Sequence, residues 1–128
     1  MHDFDITSKE LKDLMEKSRE NLVIIDVRTL EEYQSGYIES SYHIPMDSLN
    51  MEKIYDLCDE KNQYTDLPIT VLLYCAAGIR SAKCCYVLPL DQAFDEIRDI
   101  KLKNLKNGIL EWASLGYSIK NGSIPTTF

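Results

Sequence analysis

The stretch Cys75-Ala76-Ala77-Gly78-Ile79-Arg80-Ser81 is the part of this chain best equipped for chemistry. Cys75 follows the apolar run 69–74, and a helical pattern resumes near Arg80, so the thiol sits on a strand–loop–helix turn. Successive backbone N–H groups in a tight turn form an anion-binding nest, and a helix start adds further unpaired N–H groups. Gly78 permits a conformation or a close backbone approach that a side chain resists. A thiolate in that field is stabilised over its thiol, and the thiolate is the nucleophile. Lowering a thiol from about 8.5 to about 6.5 raises its charged fraction at neutral pH from about 3% to about three quarters, for about 2.7 kcal/mol of differential interaction. Several oriented dipoles and the one cation, Arg80, are of the right size to supply that. The plainer alternative is a core thiol that closes a strand, but Gly78 and Arg80 at these offsets do not follow from packing. Ser81 reads as a helix-capping or helix-surface residue, with contact to substrate as the alternative.

The other cysteines, Cys58, Cys84 and Cys85, read as packing residues. Cys84 and Cys85 are adjacent and poorly placed to pair with each other. No Cys-x-x-Cys spacing occurs, and His2 and His43 lie far from them in sequence. No metal site and no organic cofactor is implied. On the helix after the loop, one of Cys84 and Cys85 is expected to face the core and the other the neighbouring layer. A resolving-thiol role for either is the alternative.

The elements that must position Cys75 are legible from periodicity. Thr7 with Glu10 gives a capping box, Ile6 can staple to Leu11, and Leu11, Leu14 and Met15 supply a helical stripe. Residues 22–27 form a branched apolar run that ends in charge at Asp26 and Arg28, as a buried strand does at its carboxyl end. Thr29 with Glu32 repeats the capping-box spacing, and Gly36 stops that short helix. A short strand is expected at 42–45 and a helix from Asp47 to about Lys61. The most apolar strand spans 69–74, and the helix after the loop bends or ends at Pro89. A last strand is expected at 96–100 and a closing helix over 109–115, with Gly116 as its stop. Alternation of this kind predicts an α/β fold with a small, mostly parallel central sheet covered by helices on both faces. Ligands of such sheets gather at the carboxyl ends of strands, where Asp26, Arg28 and Cys75 all fall.

Composition narrows the function classes. The 128 residues match one ordinary domain, 1–128, and 45% hydrophobic with 27% charged residues is a globular composition. A net charge of −7, with 14 Lys and Arg and no basic stripe, is a poor surface for phosphate backbones, so nucleic acid is not expected as a partner. No apolar run approaches a membrane span, and the opening Met-His-Asp-Phe-Asp lacks the pattern of a signal peptide. A cytoplasmic protein without a membrane partner is expected.

In order along the chain, Ile25-Asp26-Val27-Arg28, Glu31-Glu32-Tyr33, Gly36 to Ser41, His43-Ile44-Pro45, Tyr74 to Ser81 and Gly108-Ile109-Leu110-Glu111-Trp112 resemble the rhodanese-like domains. The resemblance covers about residues 7–117. It implies that Cys75 is the nucleophile and persulfide carrier of a thiosulfate sulfurtransferase-like enzyme. The backbone of Ala76, Ala77, Gly78, Ile79 and Arg80 would be the substrate cradle, with Arg80 facing the anion and Ser81 beside it. Asp26 and Arg28 would border the loop, fixing it and shaping its mouth. Departures from the family pattern are Tyr37 where histidine is usual, Ser40 where glycine is usual, Ala93 before Phe94, an apparently long stretch 101–107, and Pro89 after the loop helix.

Four residues separate Cys75 from Arg80. Related phosphatase-type domains place five there, a ring sized for tetrahedral phosphate, so the shorter loop points to a single sulfur. The expected reaction moves sulfane sulfur from thiosulfate or a related small donor to cyanide, a thiol or a protein acceptor. Two alternatives stand beside it: a protein-to-protein sulfur relay, and a non-catalytic binding or regulatory domain.

Overall fold

The structure, a computed structural model, describes residues 2–62, 67–95 and 98–121. Strand β1 (Asp5–Ile6) leads into helix α1 (Ser8–Lys17). The capping box is in place: the Thr7 hydroxyl accepts from the Glu10 amide at 3.1 Å, and Glu10 accepts from the Thr7 amide at 2.9 Å. Strand β2 (Leu22–Asp26) is buried along its whole length. Helix α2 (Leu30–Gln34) follows, with its own capping box between Thr29 and Glu32. Then come β3 (Tyr37–Ile38), β4 (Ser41–His43), α3 (Met51–Asn62), β5 (Ile69–Tyr74) and α4 (Ile79–Val87). A short 3-10 turn over Leu88–Leu90 ends α4 where Pro89 cannot continue it. Strand β6 (Ile100–Leu105), helix α5 (Gly108–Ser114) and β7 (Ile119–Lys120) complete the described elements.

Five strands form one sheet in the order β1-β6-β5-β2-β4, every neighbouring pair parallel. β3 and β7 pair separately and antiparallel. Because side chains alternate across a strand, the two faces feed two cores. Val23, Ile25, Val71 and Leu73 join Met51, Ile54 and Cys58 of α3 and Cys84 and Cys85 of α4. Ile24, Leu72 and Tyr74 join Leu11 and Met15 of α1 and Ile109 and Trp112 of α5. Cys75 continues the odd-numbered set, so its side chain belongs to the α3–α4 side.

Two expectations need correction. The strand expected at 96–100 begins at Ile100 and runs to Leu105, with Leu102 opposite Val71; Glu96 and Ile97 lie outside the described residues. The segment alternates apolar and lysine residues, because β1 pairs only with its far end and leaves Lys101 exposed. The stretch 101–107 is the rest of β6 and the turn that follows it. Cys84 and Cys85 both pack into the same core, instead of dividing between layers. At Ser40, where the family pattern has glycine, the backbone keeps a glycine-like φ of 67°, with Arg19 donating to the Ser40 hydroxyl at 2.9 Å.

Candidate active site

The loop after β5 is shaped from behind. Its carbonyls turn outward to external donors: Ile109 N–H to Cys75 O at 3.0 Å and Leu110 N–H to Ala76 O at 3.1 Å. Asn104 Nδ2 reaches Gly78 O at 3.2 Å. The first turn of α5 thus lends its unpaired N–H groups to the loop carbonyls, which frees the loop's own N–H groups to face inward. Two close approaches make this possible. Gly78 has φ 93°, and a Cβ there would collide with the Lys106 carbonyl; Gly108 has φ 68°, and a Cβ there would collide with Ala76 O.

Inside the loop the sulfur is surrounded by donors. Gly78 N–H lies 3.1 Å and the Ser81 hydroxyl 3.3 Å from Cys75 Sγ. Burial pushes the Cys75 thiol up, but hydrogen bonds from the Ser81 hydroxyl and from the amides of Ser81, Gly78 and Arg80 outweigh it and leave the thiol below its ordinary value. The other three cysteines go the opposite way: burial pushes Cys58 up to about 11 and Cys85 up to about 12, and raises Cys84 as well. All four are free thiols, and Cys75 is only 1% exposed.

The cations are placed differently from expectation. Arg80 forms a two-pronged ion pair with Glu32, Nη1 to Oε1 and Nη2 to Oε2, both at 2.8 Å. This bonding, with help from Thr29, outweighs partial burial and holds the Glu32 acid down at about 2. Arg28 grips Asp26 with Nη2 at 2.7 Å and Nε at 3.0 and 3.1 Å, and its Nη2 also reaches Gly36 O at 2.6 Å. Both members are buried, and the His43 ring bonds the Arg28 carbonyl at 2.8 Å. The Asp26–Arg28 pair therefore braces the end of β2 against the turn at Gly36. It acts on the loop through the β2–β5 backbone, where Val27 N–H donates to Tyr74 O at 3.0 Å, one residue before Cys75. In place of the usual histidine, Tyr37 stacks on Tyr33, which stacks in turn on His43.

Of the expected cradle, Gly78 is buried, Ala76 and Arg80 are partly buried, and the Ala77 and Ile79 side chains face solvent. Ser81 is fully buried and bonds the sulfur, so it is neither a surface residue nor a simple cap. A hydroxyl carries one proton. Ser81 divides it between Sγ and Asn104 Oδ1, which lies 2.5 Å away.

Asn104 was not singled out from the sequence, nor was Glu32 as the partner of Arg80. Asn104 is a buried amide near the end of β6, standing on the apolar side of the alternation with Ile100 and Leu102, and a polar residue on that side is the signal that could have marked it. It spans the gap between β1 and the loop, donating to Asp5 Oδ1 at 2.9 Å as well as to Gly78 O. Glu32 gave a capping signal and a place in the family pattern, but nothing local predicts a partner 48 residues away.

The rhodanese-like domain family description matches residues 7–115. The chain belongs to the rhodanese-like domain family. This rhodanese-like domain is 30% identical over 105 residues to a putative mitochondrial thiosulfate sulfurtransferase of Schizosaccharomyces pombe, covering 77% of this chain and 66% of that protein. It is 26% identical over 100 residues to a sulfurtransferase of Allochromatium vinosum, covering 78% and 79%. Two tRNA uridine(34) hydroxylases, from Buchnera aphidicola and Cytophaga hutchinsonii, match at 27% and 32% identity; the chain spans about a quarter of their length, 23% and 28%. In fold, a Saccharomyces cerevisiae homologue of single-domain rhodanese superposes with a TM-score of 0.72 at 23% identity, covering 94% of this chain and 88% of that one. Among the described residues no helix is long and apolar enough to cross a membrane.

Proposed function

We propose that this domain is a sulfurtransferase that carries sulfane sulfur as a persulfide on Cys75, taking it from thiosulfate or a related donor and passing it to a thiophilic acceptor. The observation that carries this is the contrast among the four cysteines: Cys75 alone has a lowered thiol, and its sulfur faces the inward N–H groups of a short loop. Family membership and two relatives named as sulfurtransferases support the same class of reaction.

In the first half-reaction the Cys75 thiolate attacks the outer sulfur of the donor. A Cys75–sulfur bond forms as the donor's own sulfur bond breaks. With thiosulfate the electron pair of that bond leaves on sulfite, and Cys75 holds a persulfide anion. The loop N–H groups that stabilise the thiolate then stabilise the outer sulfur, as preorganised donors do for developing charge. In the second half-reaction the acceptor attacks the outer sulfur, and the Cys75 thiolate leaves. With cyanide the product is thiocyanate. Attack by the thiolate form requires no general base.

A second reading, relay from one protein to another, is favoured by the exposed apolar side chains of α4 and the turn that follows. Ile79 at the loop exit is 78% exposed and Leu90 is 81% exposed, with Tyr86 between them.

Intact mass measurement after brief donor treatment tests the proposal. One added sulfur atom is expected on wild-type protein, removable by cyanide and absent from Cys75→Ser. Cys85→Ser should still load, at a stability cost of about 1–3 kcal/mol for burying a hydroxyl in an apolar site. Loading from a persulfidated protein but not from a small donor selects the relay. No loading from either, with Cys75 reduced, removes sulfur transfer and leaves a binding domain.

A further inference from the structure

Away from the Cys75 loop, a cleft of about 410 Å³ opens beside the edge strand β4, where the end of α1, the start of β2 and the end of α3 meet. That volume is of the size that holds a small organic ligand. The floor is apolar: Met15, Leu22 and Ile24 line it, and each is at most 9% exposed. Arg19 and Lys61 line the cleft as well, and its lining includes no carboxylate. None of Cys75, Arg80 and Glu32 belongs to it.

The two cations keep donors to spare. A guanidinium has five N–H groups and an ammonium three. Arg19 places Nε on Met15 O at 3.3 Å and Nη1 on Ser40 Oγ at 2.9 Å, while Lys61 places Nζ on Arg19 O at 3.4 Å. The ion pairs among the described residues are Lys12–Glu16, Arg28–Asp26, Arg80–Glu32 and Arg98–Asp59, so neither cation of the cleft is matched. One carboxylate lies nearby, outside the lining: burial and then Glu60 push the Tyr42 hydroxyl up. Tyr42, itself in the lining, is therefore a neutral donor near neutral pH.

Ser40 adds an observation that packing does not explain. Its φ of 67° is left-handed, a conformation that costs any residue with a Cβ and that glycine holds without strain. What serine supplies and glycine lacks is the hydroxyl that accepts the Arg19 bond and fixes the guanidinium at the rim of the cleft. Strain retained for one polar contact is a mark of a functional position. We propose that this cleft is a binding site for a small monocarboxylate with an apolar body, its chain on Met15, Leu22 and Ile24, its carboxylate on Arg19 and Lys61, and Ser40 holding Arg19 in place. The site is separate from the Cys75 loop and stands independently of the sulfurtransferase reading.

The test titrates octanoate into isotope-labelled protein and reads dissociation constants from the amide shifts, with octanol as the uncharged control and acetate as the control without an apolar body. Octanoate should bind saturably and move the amides of Leu22, Ile24 and Ser40. Octanol should bind about three- to tenfold more weakly, because Arg19 and Lys61 are open to solvent and each is worth a modest amount. Acetate should bind more weakly still, since it leaves the apolar floor uncovered. Arg19→Gln combined with Lys61→Gln should weaken octanoate about three- to tenfold and leave octanol unchanged. Ser40→Gly relieves the left-handed turn, so it should be at least as stable as wild type, yet weaken octanoate about two- to threefold by releasing Arg19. Cys75→Ser should bind octanoate as wild type does. The assignment is overturned if octanoate shows no saturable binding, if amides around Cys75 move in place of those of the cleft, or if octanol binds as tightly. It is equally overturned if the double variant or Ser40→Gly binds octanoate as tightly as wild type.

Discussion

Ser81 illustrates how much of the chemistry rests on a single proton. Its hydroxyl can lie toward Cys75 Sγ at 3.3 Å or toward Asn104 Oδ1 at 2.5 Å. When the thiol ionises, the sulfur becomes the better acceptor, because hydrogen bonds to charged groups are the stronger ones. Replacing Ser81 with alanine should therefore raise the Cys75 thiol. Alkylation of Cys75 should slow about three- to tenfold at pH 6.5, while rates above pH 9 converge with wild type. An unshifted pH profile would mean that the amides alone set the thiol. The sign in stability follows from the same shift. A depressed folded value stabilises the native state above the unfolded thiol value of about 8.5, and that contribution is lost as pH falls through the folded value. At this scale the sequence was most informative about Cys75 and Gly78, whose types and spacing have few other uses. It was less informative about Arg80, since a guanidinium looks the same in sequence whether an anion or a carboxylate faces it.

Among the elements, the short α5 does work that its length does not advertise. Its first turn holds the carbonyls of Cys75 and Ala76, and Gly108 is the point of closest approach. Gly108→Ala forces a side chain into a left-handed conformation and against Ala76 O. It should cost about 2–3 kcal/mol in stability, read by denaturant unfolding. Its persulfide yield should fall further than the folded fraction accounts for, because the loop N–H groups no longer converge on the sulfur. A variant that is less stable but loads fully would show that the loop keeps its shape without α5. Strands β2 and β5 were legible because both faces of each are covered, which leaves continuous apolar runs with clear ends. β6 was misplaced because its first half lies beyond the reach of β1, so its lysines interrupt the apolar signal. The two-residue strands β1, β3 and β7 are shorter than any period that could reveal them.

For the molecule as a whole, the net acidic charge bears on the approach of any anionic donor. A dianion approaching a chain of charge −7 is repelled over roughly a Debye length, about 10 Å at 0.1 M salt. Raising ionic strength from about 0.02 to about 0.2 M should therefore raise kcat/KM for thiosulfate by about two- to fivefold. A fall with salt would show that attraction, not repulsion, governs encounter. The sheet order was only partly legible: parallel strands with helices on both faces follow from alternation, but nothing local says that β6 lies between β1 and β5. That long-range arrangement also sets a timetable. The amides that hold Cys75 and Ala76 belong to Ile109 and Leu110, more than thirty residues downstream. At about 5–20 residues per second, a ribosome finishes Cys75 roughly 2–7 s before Leu110. Through that interval the Cys75 loop lacks the α5 amides that hold its carbonyls, so the geometry that lowers the Cys75 thiol is completed only when α5 packs against the loop.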